Sequence, residues 1–224
     1  MSTSRVSAFE LMNSTSSIPK GRFAEKFDVF FDYFCPFVYR ASVLLGNVRD
    51  SGERTMEVRW RYFSLAQVNS KDDAWTIWGA PPSEPARGRL AFKAAEAARR
   101  QDGFEDFHNR LLRARHVDRL EIDDVGVVER VADEAGLDLD VFRRDLADPE
   151  ILSALERDHR AAVTEHGIFG TPTFLFPGGT AAYVRLSEAP EATDSVSLFD
   201  RLVSIAAEEP RILEIKRPVK PSPD

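Results

Sequence analysis

FDVFFDYFCPFVY, residues 27–39, is the stretch on which the reading of this chain turns. From Phe27 to Tyr33 it is dense in Val, Phe and Tyr, the signature of a buried strand. Cys35 follows, then Pro36, which suits the first turn of a helix because its missing N–H costs nothing there. That helix is expected to run through Tyr39, Val43 and Leu44 to about Asp50 and to end near Gly52. In redox proteins a cysteine at such a strand-to-helix corner commonly has a partner three residues on. Here that position is Val38, and Cys35 is the sole cysteine of the chain, which excludes an intramolecular disulfide and any multi-cysteine zinc site.

Working outward, MEVRWRYFSL (residues 56–65) alternates Met56, Val58, Trp60 and Tyr62 with Glu57, Arg59 and Arg61, as a second strand does. Two strands joined by a helix are most simply parallel. Residues 66–82 read as a loop carrying Trp75 and Trp78, and residues 83–166 read as helical throughout. Phe104, Phe107, Leu111 and Leu112 fall at helical spacing, and a second helix follows a cap at Asp123. Pro149 is expected to open the last of these helices and Gly167 to end it. FGTPTFLF (169–176), a Pro177-Gly178-Gly179 turn and AAYVRL (181–186) read as a hairpin. A final helix is expected from about Ser195 to Ala207. The fold class that results is α/β. It consists of a discontinuous sheet domain (25–82 and 167–208), an inserted helical domain (83–166), a flexible N-terminal segment (1–24) and a C-terminal tail (209–224).

Thirty basic residues against 37 acidic ones give a net charge of −7, a poor match to nucleic acid. No apolar run is long enough to span a bilayer. The N-terminus lacks the apolar core of a secretory signal, so a cytoplasmic, reducing location is the expectation, and it suits a free thiol.

At the corner, free backbone N–H groups and the helix dipole favour a thiolate on Cys35, whereas a carboxylate at Asp32, if close, opposes it. Thr171-Pro172 after a glycine and before a strand is a candidate cis peptide. It would let the Thr171 backbone N–H and C=O face an extended thiol substrate. A trans proline opening a strand and a cysteine that is merely a small buried hydrophobe are the plainer alternatives. His159 and His166 share a helical stripe leading to this loop. His166 is placed to approach Cys35, although two hydrogen-bonded edge histidines explain the stripe more simply. Arg59 and Arg61 share a strand face and could grip a carboxylate, or sit in solvent beside acids. Trp75 and Trp78 either roof the site or pack the insertion onto the sheet. Phe34 and Phe37 suggest an apolar wall around the sulfur.

DYFCPF followed by a helix, together with GIFGTPTFLF late in the chain, resembles the DsbA-like branch of the thioredoxin superfamily, over nearly all of the chain past residue 25. That resemblance implies a thioredoxin-like fold with a helical insertion between the second and third strands. It also implies thiol–disulfide oxidoreductase activity with Cys35 as nucleophile. Pro36, Phe37, Val38, Thr171 and Pro172 would then contact substrate, with Asp32, Trp75 and His166 behind them. Within the branch, the corner, the FSL segment and the closing ILEIKRP are similar to cytoplasmic mycothiol-dependent reductases. The family pattern is Cys-x-x-Cys, and Val38 departs from it. A lone thiolate still forms a mixed disulfide, but release then needs an outside thiol. The expected co-substrate is therefore a low-molecular-weight thiol, mycothiol or glutathione, with no tightly bound cofactor and no metal. Expected partners are a small-molecule thiol or disulfide and, as a further option, a protein disulfide. Neither nucleic acid nor membrane is expected, and the oligomeric state, homodimer included, is left open. Two alternatives stand beside this reading. One is the related kappa-class glutathione-transferase and 2-hydroxychromene-2-carboxylate isomerase branch, where the sulfur orients a thiol cofactor. The other is a non-catalytic thioredoxin-fold binding protein.

Overall fold

A computed structural model describes residues 24–217; the expected flexible segment up to residue 23 and the tail from residue 218 lie outside the described residues. The first strand, β1 (Ala24–Phe31), lies between two others in a sheet of order β2-β1-β3-β4. It pairs in parallel with β2 (Thr55–Tyr62), Phe27 opposite Val58 and Phe31 opposite Tyr62, and antiparallel with β3 (Thr173–Leu175), Val29 opposite Phe174. The hairpin closes with β4 (Ala181–Tyr183), antiparallel to β3. The crossover between β1 and β2 is α1 (Pro36–Ser51), which ends where Gly52 turns left-handed at φ 68.

Between β2 and β3 the described chain is helical. A short α2 (Leu65–Val68) interrupts the expected loop. Then come α3 (Arg89–Arg99), α4 (Phe104–His116), α5 (Val125–Glu134), α6 (Leu139–Leu146), a 3-10 turn at Pro149–Leu152, and α7 (Ser153–Thr164). Pro149 thus opens the 3-10 turn that leads into α7 rather than α7 itself. Asp123 does not cap α5. Asp124 does, accepting from Val127 N, while Asp123 reaches across to accept from Gly88 N at 2.7 Å at the start of α3. Adjacent aspartates give the same local signal, and tertiary placement divides them between two helices. The last helix, α8 (Ala192–Ala206), begins three residues ahead of its expected start and buries Ser195, Phe199 and Val203.

The alternation of β1 sorts its side chains between two cores. Phe27, Val29 and Phe31 face α1, α8 and the helical block, where the Phe27 ring meets Phe174, Phe176 and Phe199. Phe30 faces the other way, onto Phe63, Ala162 and Ile168. Asp28 shares the Phe30 face and accepts from both Arg59 (2.5 Å) and Arg61 (3.1 Å), and Arg61 also meets Asp158 of α7. Arg59 and Arg61 are therefore occupied in stapling β2 to β1 and α7.

His108 is wholly buried among Phe31, Tyr33, Trp60 and Phe104. Its Nδ1 lies 3.1 Å from the Tyr33 hydroxyl, and its Nε2 has no partner. Burial, helped by the nearby Arg99 charge, pushes its pKa down to about 3. Burial likewise pulls His159 down to about 4, beside a backbone N–H it accepts from Ser64. A histidine held neutral in the fold protonates first in the unfolded chain. Stability is therefore full above about pH 6.5 and falls as pH drops toward the folded values, by about 1.4 kcal/mol per pH unit for each such histidine. Urea unfolding of His108→Leu is expected to show a shallower acid limb than the parent between about pH 6.5 and about pH 4.5. Parallel limbs would show that His108 is not its source.

Candidate active site

The first strand stops at Phe31, two residues short of the Tyr33 expected from composition, because the chain turns there. Cys35 N donates to Asp32 O at 3.1 Å, and Val38 N donates to Cys35 O at 3.1 Å. The turn is held from inside by Asp32. This carboxyl is buried, and it accepts from Phe34 N at 2.8 Å and from Leu65 N, just past β2, at 2.7 Å. Burial raises its pKa from 3.8 to about 6, against those two hydrogen bonds and the Arg87 charge, which pull it down.

Cys35 is the N-cap of α1 in an extended conformation, with Pro36 exposed after it and no acidic residue in the first helical turn. Cys35 is 5 % exposed. It does not cap the helix; its S–H donates to the Thr171 carbonyl at 3.2 Å. Thr171 and Pro172 are joined by a cis peptide, so residues 136 apart in sequence meet at the sulfur. The Thr171 carbonyl expected to face substrate is engaged by the protein's own thiol. The Thr171 hydroxyl is buried and has no hydrogen-bond partner. Pro172 O accepts from Val184 N, and Thr173 Oγ1 donates to Gly170 O, which locks the cis loop to the hairpin. At Gly170 a Cβ would come within 3.2 Å of the Tyr183 ring, so that ring lies directly on the loop.

Val38 is fully buried, filling core where a resolving cysteine would stand. Phe34 and Phe37 do not form a bare apolar wall. Phe34 is sandwiched by Arg87 and Arg115, and Phe37 by Arg40 and Arg185. These arginines, with Tyr183, are the site residues that sequence reasoning missed. A lone Arg in helix or loop carries no local mark, and these lie tens of positions apart.

His166 does not join the sulfur. It lies 6.3 Å from the Phe30 ring, on the face of β1 opposite Phe31, because α7 packs on that face while Cys35 belongs to the other core. Trp75 spends its indole N–H on Glu84 at 2.6 Å, and Trp78 lies beside His159 and Arg160, so the pair braces the connection into the helical block. The histidine near the corner is instead His116, whose Nε2 is 2.8 Å from Tyr33 O and whose ring stacks on Tyr39. No group of three or more His, Cys, Asp or Glu among the described residues could hold a metal ion. No helix among them is long and apolar enough to cross a membrane.

A family model, the DSBA-like thioredoxin domain, matches residues 26–192, a span that holds both the Cys-Pro corner and the Thr-Pro loop. The chain belongs to that family. An uncharacterised protein of Mycobacterium tuberculosis is 24 % identical over 199 residues, 87 % of this chain and 83 % of that protein. Among solved structures, a probable DsbA oxidoreductase of Streptomyces coelicolor superposes with a TM-score of 0.58 at 19 % identity, covering 88 % of this chain and 94 % of that one. The cytosolic disulfide reductase DsbM of Pseudomonas aeruginosa with GSH gives 0.56 at 18 % identity, over 80 % and 98 %. The last two likenesses are likenesses of fold. The thioredoxin-like α/β architecture and the DsbA-like family are thereby established, with Val38 in place of the second cysteine.

Asp32, with a folded pKa above its unfolded value, contributes stability that is fully present below about pH 4 and is lost as pH rises through about 6. Asp32→Asn cannot gain that proton. Relative to the parent it is expected to weaken as pH falls from about 6 to about 4, by on the order of 1 kcal/mol per pH unit. Chemical denaturation at both ends of that window reads the difference. A difference that stays constant with pH would place the titration elsewhere.

Proposed function

We propose that this DsbA-like protein is a monothiol thiol–disulfide oxidoreductase, with Cys35 as its nucleophile and a low-molecular-weight thiol as its co-substrate. The observation that carries this reading is the contact of the Cys35 sulfur with the Thr171 carbonyl at the cis Thr171–Pro172 peptide, on the positive end of α1. In the first step the Cys35 sulfur, having given up its proton, attacks one sulfur of a small disulfide. A Cys35–substrate S–S bond forms, the substrate's S–S bond breaks, and the departing thiolate takes up a proton. The fully buried Val38 offers no second thiol to resolve the adduct. An outside thiol, glutathione or mycothiol in a reducing cytoplasm, attacks the substrate sulfur of the mixed disulfide; a new disulfide between the two small thiols forms and leaves, the Cys35–substrate bond breaks, and Cys35 takes up the proton as the thiol. Deprotonation releases the Thr171 carbonyl from the S–H bond. An extended substrate can then use that carbonyl, with Pro36, Phe37 and Pro172 lining its path.

One observation favours a second reading. The sulfur is nearly buried and already donates a hydrogen bond, as a hydroxyl would, which suits a group that orients a thiol cofactor in an isomerase or transferase without being consumed. Turnover that requires reduced thiol and passes through no disulfide would favour it. An unreactive Cys35 with stable partner capture would favour a binding protein.

The test is intact-mass analysis after exposure to oxidised small disulfides. The parent is expected to gain one adduct that a reduced thiol removes, and Cys35→Ser none. An adduct on the serine variant, or none on the folded parent, overturns the assignment. Val38→Cys supplies the missing partner. Its new thiol is expected to attack the Cys35 sulfur of the adduct and expel the small thiol, leaving an internal disulfide two hydrogens lighter than the reduced variant in the same spectra.

A further inference from the structure

A chain with net charge −7 gathers arginines around its one sulfur. Arg87 and Arg115 lie 4.4 and 4.6 Å from the centre of the Phe34 ring, and Arg185 and Arg40 lie 4.2 and 5.1 Å from that of Phe37. Phe34 and Phe37 flank Cys35-Pro36 directly. Arg119 lies in the turn after α4, with a left-handed φ of 61.

Carboxylates answer few of these cations. Among the described residues, Arg115 meets Glu121 at 3.4 Å, while Arg40, Arg87, Arg119 and Arg185 make no ion pair. Arg40 donates instead to the Leu186 carbonyl at 2.7 Å. The acids nearest the corner are committed. Asp32 is buried on two backbone N–H groups, and Asp123 caps α3. The contrast with β2 is direct, since there Arg59 and Arg61 are matched to Asp28 and Asp158. The α1 N-terminus adds its own positive end, with no acidic residue in its first turn and no side-chain cap. The buried Thr171 hydroxyl, beside the carbonyl that touches the sulfur, has no hydrogen-bond partner among the described residues. Guanidinium groups stacked on aromatic faces are held in place, so little freedom is lost when they bind an anion.

We propose that Arg40, Arg87 and Arg185 form a cationic collar that selects small disulfides bearing negative charge, carboxylate or phosphate, over neutral ones at Cys35. This rests on the monothiol reading for its chemistry but not for its binding. The step is the exchange written above. The collar draws the anionic disulfide in and holds its charged ends around Phe34 and Phe37, a hold that neutral disulfides of the same size do not gain.

The experiment compares adduct formation at Cys35 by glutathione disulfide, by its tetraethyl ester, by coenzyme A disulfide and by bis(2-hydroxyethyl) disulfide, at low and high salt. The acid is expected to react on the order of ten-fold faster than its ester at low salt, with the preference shrinking as salt rises. Arg87→Gln with Arg185→Gln, both at exposed positions, is expected to bring the acid-to-ester ratio toward one. Coenzyme A disulfide separates the anion sources: a preference for it marks phosphate, a preference for glutathione disulfide marks carboxylate. Equal rates for acid and ester, or a ratio unmoved by the paired substitution, overturn the collar while leaving the monothiol reaction in place. Calorimetry of Cys35→Ser with reduced glutathione and with its diethyl ester covers the remaining case. If no disulfide reacts, preferential binding of the acid keeps the collar and removes the redox reading, and equal or absent binding removes both.

Discussion

A buried carboxyl holds the corner from which the rest of the site is built. Asp32 accepts one N–H from its own turn and one from Leu65 beyond β2, so the β1–α1 connection and the β2–α2 connection are tied to one side chain. Burial makes its charge costly, which is why its pKa rises despite both hydrogen bonds. A shorter or apolar residue would leave two buried backbone donors unsatisfied, at roughly 1–3 kcal/mol each. With that turn in place, Cys35 has one direction to face, and the cis Thr171–Pro172 loop meets it there.

Arginine has two fates in this protein, and packing decides between them. On β2, Arg59 and Arg61 alternate onto the face that carries Asp28, so both are matched to its carboxylate, Arg59 at the surface and Arg61 half-buried between Asp28 and Asp158 of α7. Around α1's N-terminus the fold brings arginines from α1, from the loop before α3, from the end of α4 and from the hairpin onto two phenylalanine rings, and it brings almost no acids with them. Local sequence favours the opposite assignment. Arg59 and Arg61 form a visible pair at strand spacing, whereas Arg40, Arg87 and Arg185 lie tens of positions from one another.

The histidines follow the same logic. The stripe that ends in His166 is real as far as Ala162, but α7 lies on the Phe30 side of the sheet, so His159 buries beside Phe63 and His166 follows it onto Phe30. Helical periodicity says which residues share a face and not which face of a sheet the helix will choose. Asp123 and Asp124 repeat the point on a smaller scale, as one caps the helix it precedes and the other crosses to a different helix.

Sequence by itself determined the elements and the chemistry within reach. Dense Phe and Val made β1, Pro36 started α1, Gly52 ended it, and a chain with one cysteine and Val38 three residues on excluded an internal dithiol. The Thr171-Pro172 loop was legible as a partner for that corner only in combination with Cys35-Pro36, because a Thr-Pro bond at a strand's start reads locally as an ordinary trans proline. What the tertiary structure alone decided was what surrounds the sulfur. The proton on Cys35 goes to a carbonyl 136 residues away, Tyr183 lies on Gly170, and unpaired arginines cover Phe34 and Phe37. Those contacts join segments with no local relation to one another. They depend on how helices and hairpin pack against the sheet, and no pattern within a single element encodes that.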